Sequence, residues 1–219
     1  SDKDNDGVAD KDDICPTEYG DVSADGCPDF DKDGVPDKFD LCPHLFGDDN
    51  GCPELTIAEK GVLSDALQDL KFTQGRYEID YDSYGSLSKL VVLLHANPDM
   101  YLILEGYASS EGSEDYNMNL SARRVKSVQN FFISRGIAKN RLFLDFHGEK
   151  LPLNNNITEK DKAENRRVEF EIKYHLYSNF DAEQLEREYN NKLGEIKENE
   201  IILAKTDVLD FRKEVEEVS

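Results

Sequence analysis

Hydrophobic positions divide the chain into segments of different period. From Leu70 to Ile79 the pattern predicts a first strand, ending before the turn-prone Asp80-Tyr81-Asp82. Ser83 to Asn97 carries Leu87, Leu90, Val91 and Leu94 on one helical stripe, and Asn97-Pro98 ends it. The run Tyr101-Leu102-Ile103-Leu104 predicts a buried strand that extends to Tyr107. A second helix is expected from about Asn117 to Arg135, with positions 121, 125, 128 and 132 on one face and Gly136 as its stop. Phe143 to Phe146 reads as a third strand. Val168, Phe170, Ile172 and Tyr174 alternate with charges as a fourth. The order β-α-β-α-β-β predicts an α/β (α+β) sandwich, with helices on one face of a mixed sheet. Residues 54–69 read as a weakly patterned helical connector, so the domain is expected to span residues 54–175. Residues 176–219 predict two more helices, at 181–197 and 208–218. They would pack on the domain, swap with a second copy in a homodimer, or dock a protein partner.

Residues 1–53 are a different material. They hold 16 acidic and 4 basic residues, and their few apolar side chains cannot form a core that offsets chain entropy. A repeat supplies the alternative. Asp2-x-Asp4-x-Asp6-Gly7-x-x-Asp10-x-x-Asp13-x-Cys15-Pro16 recurs, 27 residues on, as Asp29-x-Asp31-x-Asp33-Gly34-x-x-Asp37-x-x-Asp40-x-Cys42-Pro43. Alternating carboxylates converge on one hard cation when the backbone turns sharply, and Gly7 and Gly34 permit that turn. Asp10 and Asp37 belong to the same ligand sets, Asp13 and Asp40, eleven positions after the first aspartate, can close the sphere, and a backbone carbonyl from Val8 or Val35 is a further donor. Oxygen-only ligands in a flexible loop favour calcium over magnesium and exclude zinc. The competing reading is an acidic linker extended by self-repulsion, but such a tract does not repeat this spacing. Without metal the segment is expected to melt.

Composition narrows the partners. With 219 residues and 38% apolar content, the chain can bury one domain-sized core and a smaller satellite. A net charge of −21 argues against nucleic acid and anionic lipid surfaces and favours cations. No apolar run approaches a membrane span, Leu90 to Leu94 being too short. No signal peptide is visible and the chain starts inside a repeat, which reads as a fragment or a mature form. The four cysteines, all within the first 52 residues, suggest an oxidising compartment, with three connectivities open.

On the second helix, at about 100° per residue, Arg124 falls at the edge of the apolar face and Arg123 points away. One arginine is thus placed to line a groove beside the core. Asn117-x-x-Leu120-Ser121-x-x-Arg124, Gly136-Ile137, Arg141-Leu142, Gly148-Glu149-x-x-Pro152 and Asn165-Arg166-Arg167-Val168-Glu169-Phe170 resemble, in this order, the OmpA-like C-terminal domain. That family anchors outer-membrane proteins and flagellar stators to peptidoglycan. The resemblance covers roughly residues 70 to 175. It implies recognition of a meso-diaminopimelate residue in the peptidoglycan stem peptide, with Arg124 binding a carboxylate and Asn117, Leu120 and Arg167 at other pocket positions. A guanidinium suits bidentate contact with a carboxylate, and an acid suits the ligand's ammonium.

The sequence departs from the family in the loop after the second strand. Where Gly-His-Thr-Asp is usual, the chain reads Gly106-Tyr107-Ala108-Ser109, so Ser109 replaces the charged acceptor; Gly75 stands for a family Asn. A lost charge-assisted hydrogen bond costs roughly 1.5–3 kcal/mol, about ten- to a hundredfold in affinity. Glu111, Glu114 and Asp115 are the acids available to compensate. The structural alternative has Arg124 capping or pairing with Glu149 or another carboxylate.

The acidic segment resembles thrombospondin type-3 repeats, in which acidic loops wrap calcium with little hydrophobic core. Gly26-Cys27-Pro28 and Gly51-Cys52-Pro53 fit that pattern, and the resemblance implies the sequential pairing Cys15–Cys27 and Cys42–Cys52. Ala108-x-Ser110-x-Gly112 only imitates a nucleophile elbow, and no triad accompanies it. His44, His95, His147 and His175 lack metal-motif spacing and read as packing or surface residues; Glu105 and Glu149 read as structural. No enzyme is expected. The reading is a periplasmic, peptidoglycan-binding anchor of an outer-membrane protein with a calcium-stiffened spacer. A barrel or lipid anchor in a missing N-terminal part is expected on family grounds. The competing reading is an envelope scaffold that keeps the fold, has lost the pocket, and binds a partner through its tail.

Overall fold

Strand β1 (Tyr101–Tyr107) occupies the middle of a three-stranded sheet in the computed structural model, which describes residues 1–73, 75–174 and 186–195. Strand β2 (Leu142–Gly148) runs parallel to it on one side, in a register that sets Leu102 beside Leu142 and Glu105 beside Asp145. Strand β3 (Val168–Lys173) lies on the other side. The helices are α1 (Ile57–Asp69), α2 (Tyr84–Ala96), α3 (Glu114–Ser134) and the short α4 (Glu159–Asn165). The period-two and period-3.6 patterns meet in one core. Leu87, Leu90 and Leu94 of α2, Leu102 and Leu104 of β1, Val125, Val128 and Phe132 of α3, and Phe146 of β2 are all fully buried. Each such side chain contributes about 1.5–3 kcal/mol relative to exposure.

The expected mixed α/β class holds, with one strand fewer among the described residues. The described residues of the segment 70–79 do not join the sheet; Phe72 and Ile79 meet in an isolated antiparallel bridge. Gly75 takes a positive φ of 66°, Arg76 N–H bonds back to the Thr73 carbonyl at 3.0 Å, and the chain reverses. The Arg76 carbonyl then accepts from Arg124 Nε instead of from a neighbouring strand.

Helix α3 opens at Glu114, three residues before the expected Asn117. The Ser113 hydroxyl accepts from the Tyr116 N–H at 3.2 Å, and Glu114 and Asp115 face the positive end of the helix dipole. Helix α4 is outside the expected order; a capping box between Thr158 and Asp161 starts it. Residues 186–195 are helical, within the expected 181–197 helix. Tyr189 there is buried, its ring 5.2 Å from that of Phe146, and its hydroxyl donates to the Ala122 carbonyl at 3.1 Å. The remainder of that helix and the expected 208–218 helix lie outside the described residues.

Two compact units result, one mainly Ser1–Lys60 and the other mainly Gly61–Pro98 with Leu102–Ile172. In the first, Cys15 pairs with Cys27 and Cys42 with Cys52, the sequential connectivity. Its interior is small: Ala24 and Cys27 are buried while Phe30, Phe39 and Phe46 are exposed.

Candidate functional site

The phase of α3 carries Arg124 further inward than the groove edge expected of it: the side chain is fully buried. Its Nε donates to the Arg76 carbonyl at 3.1 Å and its Nη1 to the Tyr107 carbonyl at 3.3 Å. The guanidinium lies over the Phe72 ring, 5.1 Å from its centroid. Nη2 is buried with no hydrogen-bond partner among the described residues, and no carboxylate there pairs with Arg124. Burial, followed by the nearby Arg166 charge, pushes its pKa down to about 10. A buried cation with a spare donor has the chemistry to take an anion, because an unmatched buried charge is costly until it is paired. Glu149 does not pair with it; that carboxylate accepts from Asn117 Nδ2.

Other expected pocket residues gather around the same end of β1. Asn117, Leu120 and Ser109 are buried. Arg167, just before β3, places its guanidinium over the Tyr107 ring at 3.7 Å and hydrogen-bonds Glu169. Its Nη1 is also buried and unpartnered among the described residues. Arg124 and Arg167 therefore each touch Tyr107, one at its carbonyl and one at its ring, and each keeps one donor unspent.

An acid follows Ser109 by two residues. Ser109 Oγ hydrogen-bonds Glu111 Oε2 at 3.2 Å, so a carboxylate stands beside the serine. Lys162 Nζ reaches Glu111 Oε1 at 3.2 Å and Arg166 Nη1 reaches Oε2 at 3.3 Å. Burial alone would raise the Glu111 pKa, but Lys162, Ser109 and Arg166 together hold it below the usual carboxylate range. Of the other acids, Glu114 is engaged by Lys150 at 2.8 Å.

The acidic repeats form two matching loops. Asp2, Asp4 and Asp6 bring one carboxylate oxygen each within 4.8 Å of the others, and Asp29, Asp31 and Asp33 do the same. Asp2 and Asp29 accept backbone N–H bonds from Asn5 and Gly7, and from Lys32 and Gly34. Val8 and Val35 donate N–H to Asp6 and Asp33 at 2.8 Å. Asp10 and Asp37 accept from the N–H of Lys3 and Phe30, which closes each loop. Asp13 and Asp40 each accept from the cysteine two residues on, at 2.6 Å, with one oxygen. Both Asp4 oxygens and one oxygen each of Asp13, Asp31 and Asp40 are buried without a hydrogen-bond partner. Burial, with neighbouring Asp6 and Asp13, raises the Asp4 pKa; burial, with Asp33, Asp31 and Asp37, raises that of Asp40. Gathered acceptors that lack donors fit a hard cation.

A model of the OmpA family matches residues 71–166. Outer membrane porin F of Pseudomonas aeruginosa is 32% identical over 173 residues, covering 78% of this chain and 41% of the relative. Outer membrane protein A of Bordetella avium is 44% identical over 71 residues, 32% of this chain and 37% of the relative. A peptidoglycan-binding protein, ArfA, of Mycobacterium tuberculosis is 35% identical over 89 residues, 41% of this chain and 27% of the relative. The chain thus spans less than half the length of these curated relatives. Among solved structures, a peptidoglycan-associated lipoprotein from Burkholderia pseudomallei superposes with a TM-score of 0.46 at 19% identity, covering 48% of this chain and 88% of that one. The similarity to the OmpA family model thus lies in residues 71–166, the stretch that carries α2, β1, α3, β2 and α4.

Proposed function

We propose that the chain is a non-catalytic peptidoglycan-binding anchor, the periplasmic part of an outer-membrane protein. The observation that carries this reading is Arg124, fully buried, with Nη2 unpartnered among the described residues. The ligand is the diaminopimelate residue of the stem peptide. Its carboxylate takes the spare donors of Arg124 and Arg167, and its ammonium meets Ser109 and Glu111. Asn117 and Leu120 line the pocket. No bond is made or broken in this scheme: the site only recognises. Relatives named peptidoglycan-binding or peptidoglycan-associated support the ligand class. No helix among the described residues is long and apolar enough to cross a membrane.

The acidic repeats form the calcium-stiffened spacer of this anchor. Asp2, Asp4, Asp6, Asp10 and Asp13 with the Val8 carbonyl would hold one ion, and Asp29, Asp31, Asp33, Asp37 and Asp40 with the Val35 carbonyl a second. The unpartnered carboxylate oxygens support this assignment. The ion would supply charge compensation that the loop itself lacks.

Titration calorimetry of the calcium-loaded protein with a diaminopimelate-containing stem peptide tests the anchor reading. Wild type should bind and Arg124→Ala should bind about ten- to a hundredfold more weakly. No heat from either protein, with circular dichroism confirming the fold, would sink it in favour of a scaffold that has lost the pocket.

A further inference from the structure

Strands β1 and β2 set Glu105 and Asp145 side by side in register, and His147 follows Asp145 by two residues on the same face of the sheet. One ligand atom from each of the three lies within 4.8 Å of the others. His147 Nε2 is 3.7 Å from Asp145 Oδ2 and 4.0 Å from Glu105 Oε1. Donor atoms about 2.0–2.1 Å from a tetrahedral metal lie roughly 3.4 Å apart, so the two separations from His147 would shorten by about 0.3–0.6 Å on binding. We propose that Glu105, Asp145 and His147 form a binding site for a divalent transition metal of the zinc class.

The surroundings hold each ligand by the atom it does not offer. Glu105 Oε2 accepts from the Tyr107 hydroxyl at 3.1 Å, which turns Oε1 toward His147. Asp145 Oδ1 accepts from the Phe146 N–H and from Lys192 Nζ, both at 2.8 Å, which leaves Oδ2 on the shared side. The imidazole stacks on the Tyr107 ring with centroids 4.9 Å apart. Outer partners of this kind orient metal ligands and sharpen their geometry. All three side chains are partly exposed, at 21% for His147, 24% for Asp145 and 35% for Glu105, so an ion can reach them from solvent.

Ligand chemistry selects the metal. One imidazole and two carboxylates make a mixed nitrogen–oxygen set of three, the number zinc uses when its fourth position is open. Calcium needs six or more oxygens, and this cluster offers too few. The electrostatics also favour a cation. Glu105 and Asp145 set two negative charges side by side against the one ammonium of Lys192, and a divalent ion between them would replace the remaining repulsion by attraction. Bound there, it would join β1 to the edge strand β2, with Tyr107 in contact with the outer side of the site. Its fourth position would take water or a donor atom of a ligand. The spacing of His147 in the chain carries no metal signature; register on two strands creates the cluster.

The test is zinc titration of the full chain in millimolar calcium, which keeps the acidic loops from competing. One equivalent of zinc should bind. His147→Ala and Asp145→Asn should each weaken it at least about 10- to 100-fold. His44→Ala, which removes the imidazole of the acidic repeats, should leave the affinity unchanged. Cobalt in place of zinc should give the visible absorption of a four-coordinate ion, bleached by added zinc and missing in His147→Ala. Zinc affinity unchanged in His147→Ala, or no stoichiometric uptake by wild type, would overturn the proposal, and neither result touches the stem-peptide reading. Circular dichroism of each variant separates loss of a ligand from loss of the fold.

Discussion

Replacing Arg124 by methionine separates recognition from folding. At neutral pH this guanidinium is charged inside the protein, and burial lowers its pKa from 12.5 to about 10. At 1.36 kcal/mol per unit, that displacement sets roughly 3 kcal/mol against folding at neutral pH. The sign follows from proton binding. Between pH 10 and 12.5 the unfolded chain holds the proton that the folded chain has released, so stability rises with pH through that window. Methionine fills much of the same space without charge and removes this cost. It also deprives the Arg76 and Tyr107 carbonyls of donors, each bond from a charged group being worth about 1.5–3 kcal/mol. The sums nearly offset, so the variant should lose between about 0 and 3 kcal/mol in urea unfolding followed by circular dichroism. Stem-peptide affinity should nevertheless fall about ten- to a hundredfold. A loss above roughly 5 kcal/mol would mark Arg124 as a structural group whose partners are all satisfied. Wild-type affinity in the folded variant would refute its role in binding.

The repeats yield two more expectations. Asp4 and Asp40 have raised pKa values in the metal-free loops, so their ionised forms oppose folding and protonation relieves them. In chelator, acidification from neutral toward the carboxylate range should therefore stabilise the repeats. In calcium it should destabilise them, as protons displace the ion. Thermal scans that moved the same way in both buffers would contradict the ligand assignment. Gly51 has a φ of +82°, and a Cβ there would collide with the Asp40 carboxylate. Gly51→Ala should weaken one of two calcium-binding events severalfold in calorimetry, whereas Gly61→Ala, with open space around it, should change neither.

How much of this was legible depends on where each residue finds its partners. Helix α2, strand β1 and most of α3 are readable because one face of each meets a single core, which leaves a clean period in the sequence. Residues 70–79 carry the alternation of a strand, but a turn at Gly75 and the demand of Arg124 for the Arg76 carbonyl are tertiary facts with no local signature. Helix α4 has no apolar stripe, and only Thr158 with Asp161 announces it. The inward position of Arg124 depends on Phe72 beneath it and on carbonyls from two distant segments. The sequence offered Glu111, Glu114 and Asp115 as substitutes for the missing acid, and contact with Ser109 singles out Glu111.

The 27-residue repeat closes upon itself. Each unit has its own disulfide, its own trio of clustered aspartates, and its own bond from a glycine N–H to the third of them, Gly20 to Asp6 and Gly47 to Asp33. Lys38 reaches back from the second unit to Ile14 and Cys15 of the first. Because the disulfide and the carboxylate bonds that shape a unit lie inside it, a whole unit can be duplicated or deleted by recombination with only the Lys38 contact to its neighbour lost. The length of this segment is therefore free to change in fixed steps, while a gain or loss of a few residues would break a loop.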